Sequence, residues 1–376
     1  MNKTIKTIYV ILLILALILG GCTNKSPTGQ AVNQQSQSKD TIKIGGLFHL
    51  TGAAAFWGEG EKNAALMAIE EINEHGGINN KRLKLIIEDG QTEFKPTTTA
   101  FKKLIEVDKV NVIIGPTWFS QVGSPIAEQT KTVMLSPSTG TVQEPSHYFF
   151  ALWPTESQET APVVKHMKEQ GISKVAVVYS QNDWSVNIKK EFARIAKEQN
   201  IEVVEEFAVD PDESDFRSII TKIKEMNVDA VYAPFAFYPS QGSFSRQAKD
   251  LELKSMLYSG TGTGNPILLE SFPEIEGTIY PEPIRTNKQQ ELEARYKEKY
   301  SKEASPPVAY AYDAVNLVAL ALMNGKETGQ EVADYLHSIK DYPGATNTIT
   351  FDENGRITQK QHVIKVVKDG EFVLYE

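Results

Sequence analysis

Cysteine is nearly missing from this chain: Cys22 stands alone, so no disulfide can form within it. The fold must be held by its own apolar core. Basic charge is also short, with 39 Lys and Arg against 48 Asp and Glu for a formal charge of −9, so the basic stripe of a nucleic-acid binder is not expected. His49, His75, His147, His166, His337 and His362 are scattered without metal-ligand spacing and read as surface or packing groups. No G-x-x-x-x-G-K-[ST], H-E-x-x-H or G-x-S-x-G string occurs, which removes the motifs of an ATPase, a zinc protease and a serine hydrolase. Gly260-Thr261-Gly262-Thr263-Gly264 has the look of a dinucleotide loop but lacks the G-x-G-x-x-G spacing. No enzyme, cofactor or metal is therefore expected. The apolar run at 8–19 is shorter than the about 20 residues that span a bilayer.

That run follows Lys3 and Lys6 and ends in two glycines, the layout of a secretory signal. With small residues ahead of the cysteine, Leu19-Gly20-Gly21-Cys22 resembles the lipobox of prokaryotic lipoproteins. The resemblance implies that residues 1–21 are a signal peptide absent from the working molecule and that Cys22 becomes its lipidated first residue. Residues 22–40 are rich in Ser, Gln, Asn and Thr and hold no aromatic side chain, so they are expected to be a disordered tether. Such a coil reaches on the order of 20–25 Å. The protein is expected to be extracytoplasmic, anchored to the cell membrane.

Residues 41–376 are too many for one small domain and suggest two lobes. From Thr41 short apolar runs alternate with longer amphipathic ones. Strands are expected at 41–48, 83–88, 110–114 and 133–136, with helices at 60–74, 97–108 and 124–131 between them. A second set gives helices at 160–170, 185–199, 215–225 and 242–251, and strands at 174–179, 202–207, 230–234 and 256–259. This β-α rhythm implies parallel sheets covered by helices, an α/β fold. Residues 309–323 form a long apolar helix, and 348–374 alternates like strands with a turn at Asn354-Gly355. Either lobe could receive these late elements.

Small ligands bind beyond the carboxyl ends of parallel strands. Three loops at such ends are rich in glycine and hydroxyls: 51–58, 115–120 and 136–141. Ordinary turns use the same residues, but three in one half of the chain suit a carboxylate or another polar head group.

The strings IKIGGLFHLTGAAAFWGEGEKNAALMAIEEIN, VNVIIGPTWFS, MLSPSTGT and KVAVVYSQNDWS resemble the solute-binding proteins of branched-chain amino acid ABC transporters, of leucine/isoleucine/valine type. The resemblance continues through AYAYDAVNLVALAL and ITFDENGRI. It implies two Rossmann-like lobes with parallel sheets joined by three crossover segments, the type I periplasmic-binding fold. One lobe would be 41–154 plus 285–340 and the other 155–284 plus 341–376, crossing near 153–154, 280–283 and 344–348.

It also implies roles for single residues. Trp57 would cover the ligand, Ser120 would bind its carboxylate, and the Ser138 carbonyl would receive its ammonium. Where the family commonly has threonine this chain has Gly140, with Thr139 and Thr141 as neighbouring sources of a hydroxyl. Trp184 and Phe237 would be aromatic walls. Thr261 stands where amino-acid binders carry a glutamate for the ammonium, and a buried ammonium without a counter-ion costs several kcal/mol. Glu282 and Asp313 are substitutes, although each reads more readily as a structural acid. The implied function is a substrate-binding protein of an ABC importer, a monomer that hands a small polar ligand to permease subunits served by a separate ATPase. The alternatives are a binder of an amide, urea or small organic acid, and a ligand sensor on the same fold.

Overall fold

The short apolar runs become two sheets. The computed structural model describes residues 41–142, 144–358 and 362–375; the signal segment, Cys22 and the tether lie outside them. The first sheet holds β1 (Thr41–Phe48), β2 (Arg82–Asp89), β3 (Val112–Ile114), β4 (Val133–Ser136) and β5 (Phe149–Ala151), in the order β2-β1-β3-β4-β5. All its strands are parallel. Helices α1 (Ala55–Glu74), α2 (Phe94–Lys102) and α3 (Ser120–Thr130) connect them.

The second sheet is built from β6 (Lys174–Ser180), β7 (Glu202–Val209), β8 (Ala230–Tyr232), β9 (Met256–Tyr258) and β10 (Ile279–Pro283), again parallel. Around it run α4 (Glu156–Glu169), α5 (Asp183–Glu198), α6 (Arg217–Met226), α7 (Tyr238–Asp250) and the short α8 (Pro266–Ser271).

The chain then returns to the first sheet with α9 (Asn287–Tyr300), α10 (Val308–Met323) and α11 (Gly329–Ser338). Helix α10 is apolar on nearly all sides and so must be buried; Ala314, Val315, Leu317 and Val318 sit fully inside the first core. After the two-residue strands β11 (Tyr342–Pro343) and β12 (Thr348–Ile349), the chain ends in the second sheet with β13 (His362–Lys368) and β14 (Glu371–Leu374). Both are antiparallel to their neighbours. The halves are thus Rossmann-like and exchange the chain three times.

The tail departs from the pattern of its residues. Asn354-Gly355 does make a turn, with Gly355 at φ +70°, and its flanks pair briefly through the bridge Phe351 to Ile357 and the bonds Asp352 N–H to Arg356 O and Thr358 N–H to Thr350 O. The extended hairpin turns at Asp369-Gly370 instead. Ile349, Phe351 and Ile357 pack in the first core, and Ala151 donates its N–H to Gly355 O at 2.8 Å. The stretch through Ile357 therefore lies along the edge strand β5 before the chain crosses. No helix among the described residues is long and apolar enough to cross a membrane.

Candidate ligand-binding cleft

Strand order reverses between β1 and β3 in one sheet and between β6 and β8 in the other, the places where open parallel sheets leave a crevice. Loops leaving all four strands line one cleft of about 980 Å³. Trp57, Ser120, Ser138, Thr139, Trp184, Phe237 and Thr261 all line it, as do Gly140 and Thr141.

Hydrogen bonds fix the loop after β1. Leu50 N–H and the Thr51 hydroxyl donate to Asp89 at 2.9 and 2.7 Å, and the Thr92 hydroxyl donates to Thr51 O at 2.9 Å. A Cβ on Gly58 would lie 2.2 Å from His49 O, so glycine there lets α1 sit directly on the strand end and presents Trp57 to the cleft.

The loops after β3 and β4 are tied to each other. The Ser136 hydroxyl donates to Pro116 O at 2.7 Å, the Thr139 hydroxyl to Trp118 O at 2.9 Å, and Trp118 N–H to Ser138 Oγ at 3.3 Å. The side chains of Ser138 and Thr139 thus hold the neighbouring loop. Space requires glycine at position 140, because a Cβ there would lie 2.1 Å from Pro154 O.

Beneath these loops lies Glu61 of α1, fully buried and accepting from the Thr117 hydroxyl at 2.5 Å. Burial pushes its carboxyl up to about 7, against the pull of the Ser138 and Thr117 hydroxyls.

The walls are aromatic. Trp57 contacts Trp118 and Trp153, each with ring centroids 5.4 Å apart, and Trp118 reaches across to Phe237 at 5.9 Å. Trp153 continues the row inward to Tyr310 at 5.0 Å. Trp118 holds a left-handed backbone, φ +63°, which costs a side-chain-bearing residue about 1–2 kcal/mol. With Trp184, four tryptophans line the cleft.

Position 261 has no acid of its own, but acids arrive from another element. Helix α4 opens with a capping box in which Thr155 Oγ1 accepts from Gln158 N–H, and its first turn carries Glu156 and Glu159. Thr261 N–H donates to Glu159 Oε1 at 2.8 Å. Burial raises the Glu159 carboxyl to about 7, opposed by the Thr261 hydroxyl and amide and the Trp184 side chain. Glu156 lines the cleft itself; burial raises its carboxyl too, against hydrogen bonds led by the Thr141 hydroxyl.

Glu282 and Asp313 are not in the lining. Glu282 pairs with Arg285 and Lys365, each at 2.8 Å. Asp313 accepts Ala345 N–H, Thr346 N–H and the Thr346 hydroxyl at 2.7, 2.8 and 2.7 Å, which pins 344–346 to α10. Both are structural acids.

Reading the residues alone missed Trp118, Trp153, Glu156 and Glu159 as parts of this region. Trp118 sat inside a loop noted for its hydroxyls, and the glutamates had the ordinary form of acids in a helix first turn.

The periplasmic binding protein family model matches residues 41–371. The leucine-, isoleucine-, valine-, threonine- and alanine-binding protein of Pseudomonas aeruginosa is 27% identical over 352 residues, covering 91% of each chain. A leucine-binding protein from Thermotoga maritima superposes with a TM-score of 0.81 at 24% identity, over 89% of this chain and 98% of that one. A branched-chain amino acid transporter substrate-binding protein from Streptococcus pneumoniae, solved with isoleucine, gives 0.79 at 24% identity over the same shares. Given a model match across almost the whole described chain and two α/β halves that meet at paired strand ends, this chain belongs to the periplasmic binding protein family.

Proposed function

We propose that the protein is the extracytoplasmic substrate-binding component of an ABC importer, which captures an amino acid or a close relative in the cleft and delivers it to the permease. The observation that carries this reading is the cleft itself, whose lining joins strand-end loops of one half to aromatic walls of the other. The relatives named for leucine, isoleucine and valine support the amino-acid class. In this reading a carboxylate sits near Ser120, where α3 begins without a side-chain cap and its leading amides favour negative charge. Trp57, Trp184 and Phe237 hold the ligand's body. No bond is made or broken; ligand contacts to both halves favour the closed state.

The two lobes are proposed as 41–154 plus the helices after residue 284, and 155–284 plus the terminal hairpin. In this reading the third crossing follows Ile357, a boundary supported by Ile349, Phe351 and Ile357 packing in the first core. Cys22 carries the lipid that keeps the binder beside its permease.

Thermal unfolding with leucine, isoleucine, valine, threonine and alanine tests the ligand class. At a ligand concentration a hundredfold above Kd, stability should rise by about 3 kcal/mol. A melting temperature unmoved by all five would sink the amino-acid reading.

A further inference from the structure

The charge of the lining is one-sided. Among the described residues that form it, Glu156, Asp212 and Glu213 are the ionisable acids, and no Lys, Arg or His is present. Asp212 and Glu213 lie in the loop after β7, whereas Glu156 is 4% exposed and its Oε2 is buried with no hydrogen-bond partner. Glu156 makes no ion pair with a described residue. Two like charges act on it, Glu159 on its own helix and Glu191 on α5. Burial disfavours its ionised form and outweighs the helix start and the Thr141 hydroxyl and amide, which favour it. A buried carboxylate oxygen without a donor is costly, and the cost is removed by a cation that enters the cleft. Lys190 and Arg356 line the smaller pocket that adjoins at Glu156, but Arg356 is engaged by Asp352 at 2.9 Å.

We propose that Glu156 receives the ligand's cationic nitrogen in place of an acid at position 261, so that the cleft selects amines over carboxylic acids and neutral amides of the same shape. The inference rests on the amino-acid reading above and names the group that fixes its charge. Glu159 is a positioning residue: it holds the Thr261 backbone and interacts with the Trp184 side chain, which keeps that aromatic wall beside the acid. Aromatic faces around a desolvated ammonium add to the same preference.

The test is calorimetric titration of the full-length protein with two matched series. One is L-leucine, 3-methylbutylamine, 4-methylpentanoate and 4-methylpentanamide; the other is L-phenylalanine, 2-phenylethylamine, 3-phenylpropanoate and 3-phenylpropanamide. In at least one series the ammonium-bearing members should bind and the acid and amide should not. Glu156→Gln should weaken the amines by about 100-fold, the scale for removing one partner of a buried charge pair, while Glu156→Asp retains part of the affinity. Circular dichroism melting confirms that both variants fold. Amino acids bound equally by native protein and Glu156→Gln would leave the amino-acid reading standing and overturn the role of Glu156. Tighter binding of the acid or amide than of the amine overturns the charge preference, as does failure of every amine in both series, whereas the amino-acid reading falls only if the five-ligand melting test is flat as well.

Discussion

Replacing Glu61 by glutamine should make the protein more stable, and only at high pH. The carboxyl is fully buried beneath the loops of the cleft, and burial lifts its pKa from 4.5 to about 7. Below about pH 4.5 both the folded and unfolded forms hold the proton, so the group costs nothing. As pH rises toward 7 the unfolded chain releases a proton that the folded protein keeps, and stability falls. Above 7 the whole difference is lost, about 3 kcal/mol at about 1.4 kcal/mol per tenfold change. Glutamine cannot ionise and still accepts the Thr117 bond. The stability of Glu61→Gln relative to the native protein, from urea unfolding followed by circular dichroism, should therefore rise by about 2–3 kcal/mol between pH 5 and pH 8.5. Glu156 and Glu159 titrate in both proteins and cancel in the comparison. An equal difference at the two pH values would refute the buried-acid account of the cleft floor.

Two further outcomes concern Asp313 and Cys22. Asp313→Ala should cost about 3–5 kcal/mol in urea unfolding, since it leaves the Ala345 and Thr346 amides buried without an acceptor; a loss under about 1 kcal/mol would show that the 344–346 segment is held some other way. Cys22→Ser should move the protein from the membrane fraction to the soluble extracytoplasmic fraction, and unchanged membrane retention would remove the lipid from the proposal.

The body of the fold was open to reading because its signals are local. Alternating strands and amphipathic helices carry their own periodicity, and Val175, Val177, Ala230 and Tyr232 are buried as parallel strands require. The hydroxyl-rich loops could be found because each follows a strand. What the chain alone concealed depends on distant pairs. Glu159 meets position 261 across 102 residues of sequence, so nothing near Thr261 announces an acid. Glu156 and Glu159 look like solvated acids that complement a helix start, and only the packing of α4 under the strand-end loops makes them buried groups. The turn at Asn354-Gly355 is legible in its residues, but its pairing with the edge strand β5 is a contact across about 200 residues that nothing local announces. The resemblance offers the Ser138 carbonyl and the Thr139 hydroxyl to a ligand, and the engagement of both side chains with Trp118 becomes visible only when two loops from separate strands lie side by side.

The row of indoles along the cleft gives the protein a built-in optical reporter. The chain has four tryptophans, and Trp57, Trp118, Trp153 and Trp184 all line this one space, so ultraviolet emission excited at the indole band arises nowhere else. Three of them lie in a contact chain with 5.4 Å steps, close enough to exchange excitation, while Trp184 stands apart on the other half beside Glu159. The proposed ligand entry and closure can thus be tested in the unlabelled protein by two spectral changes, one in the shared emission of the trio and one in the solvent shift of Trp184.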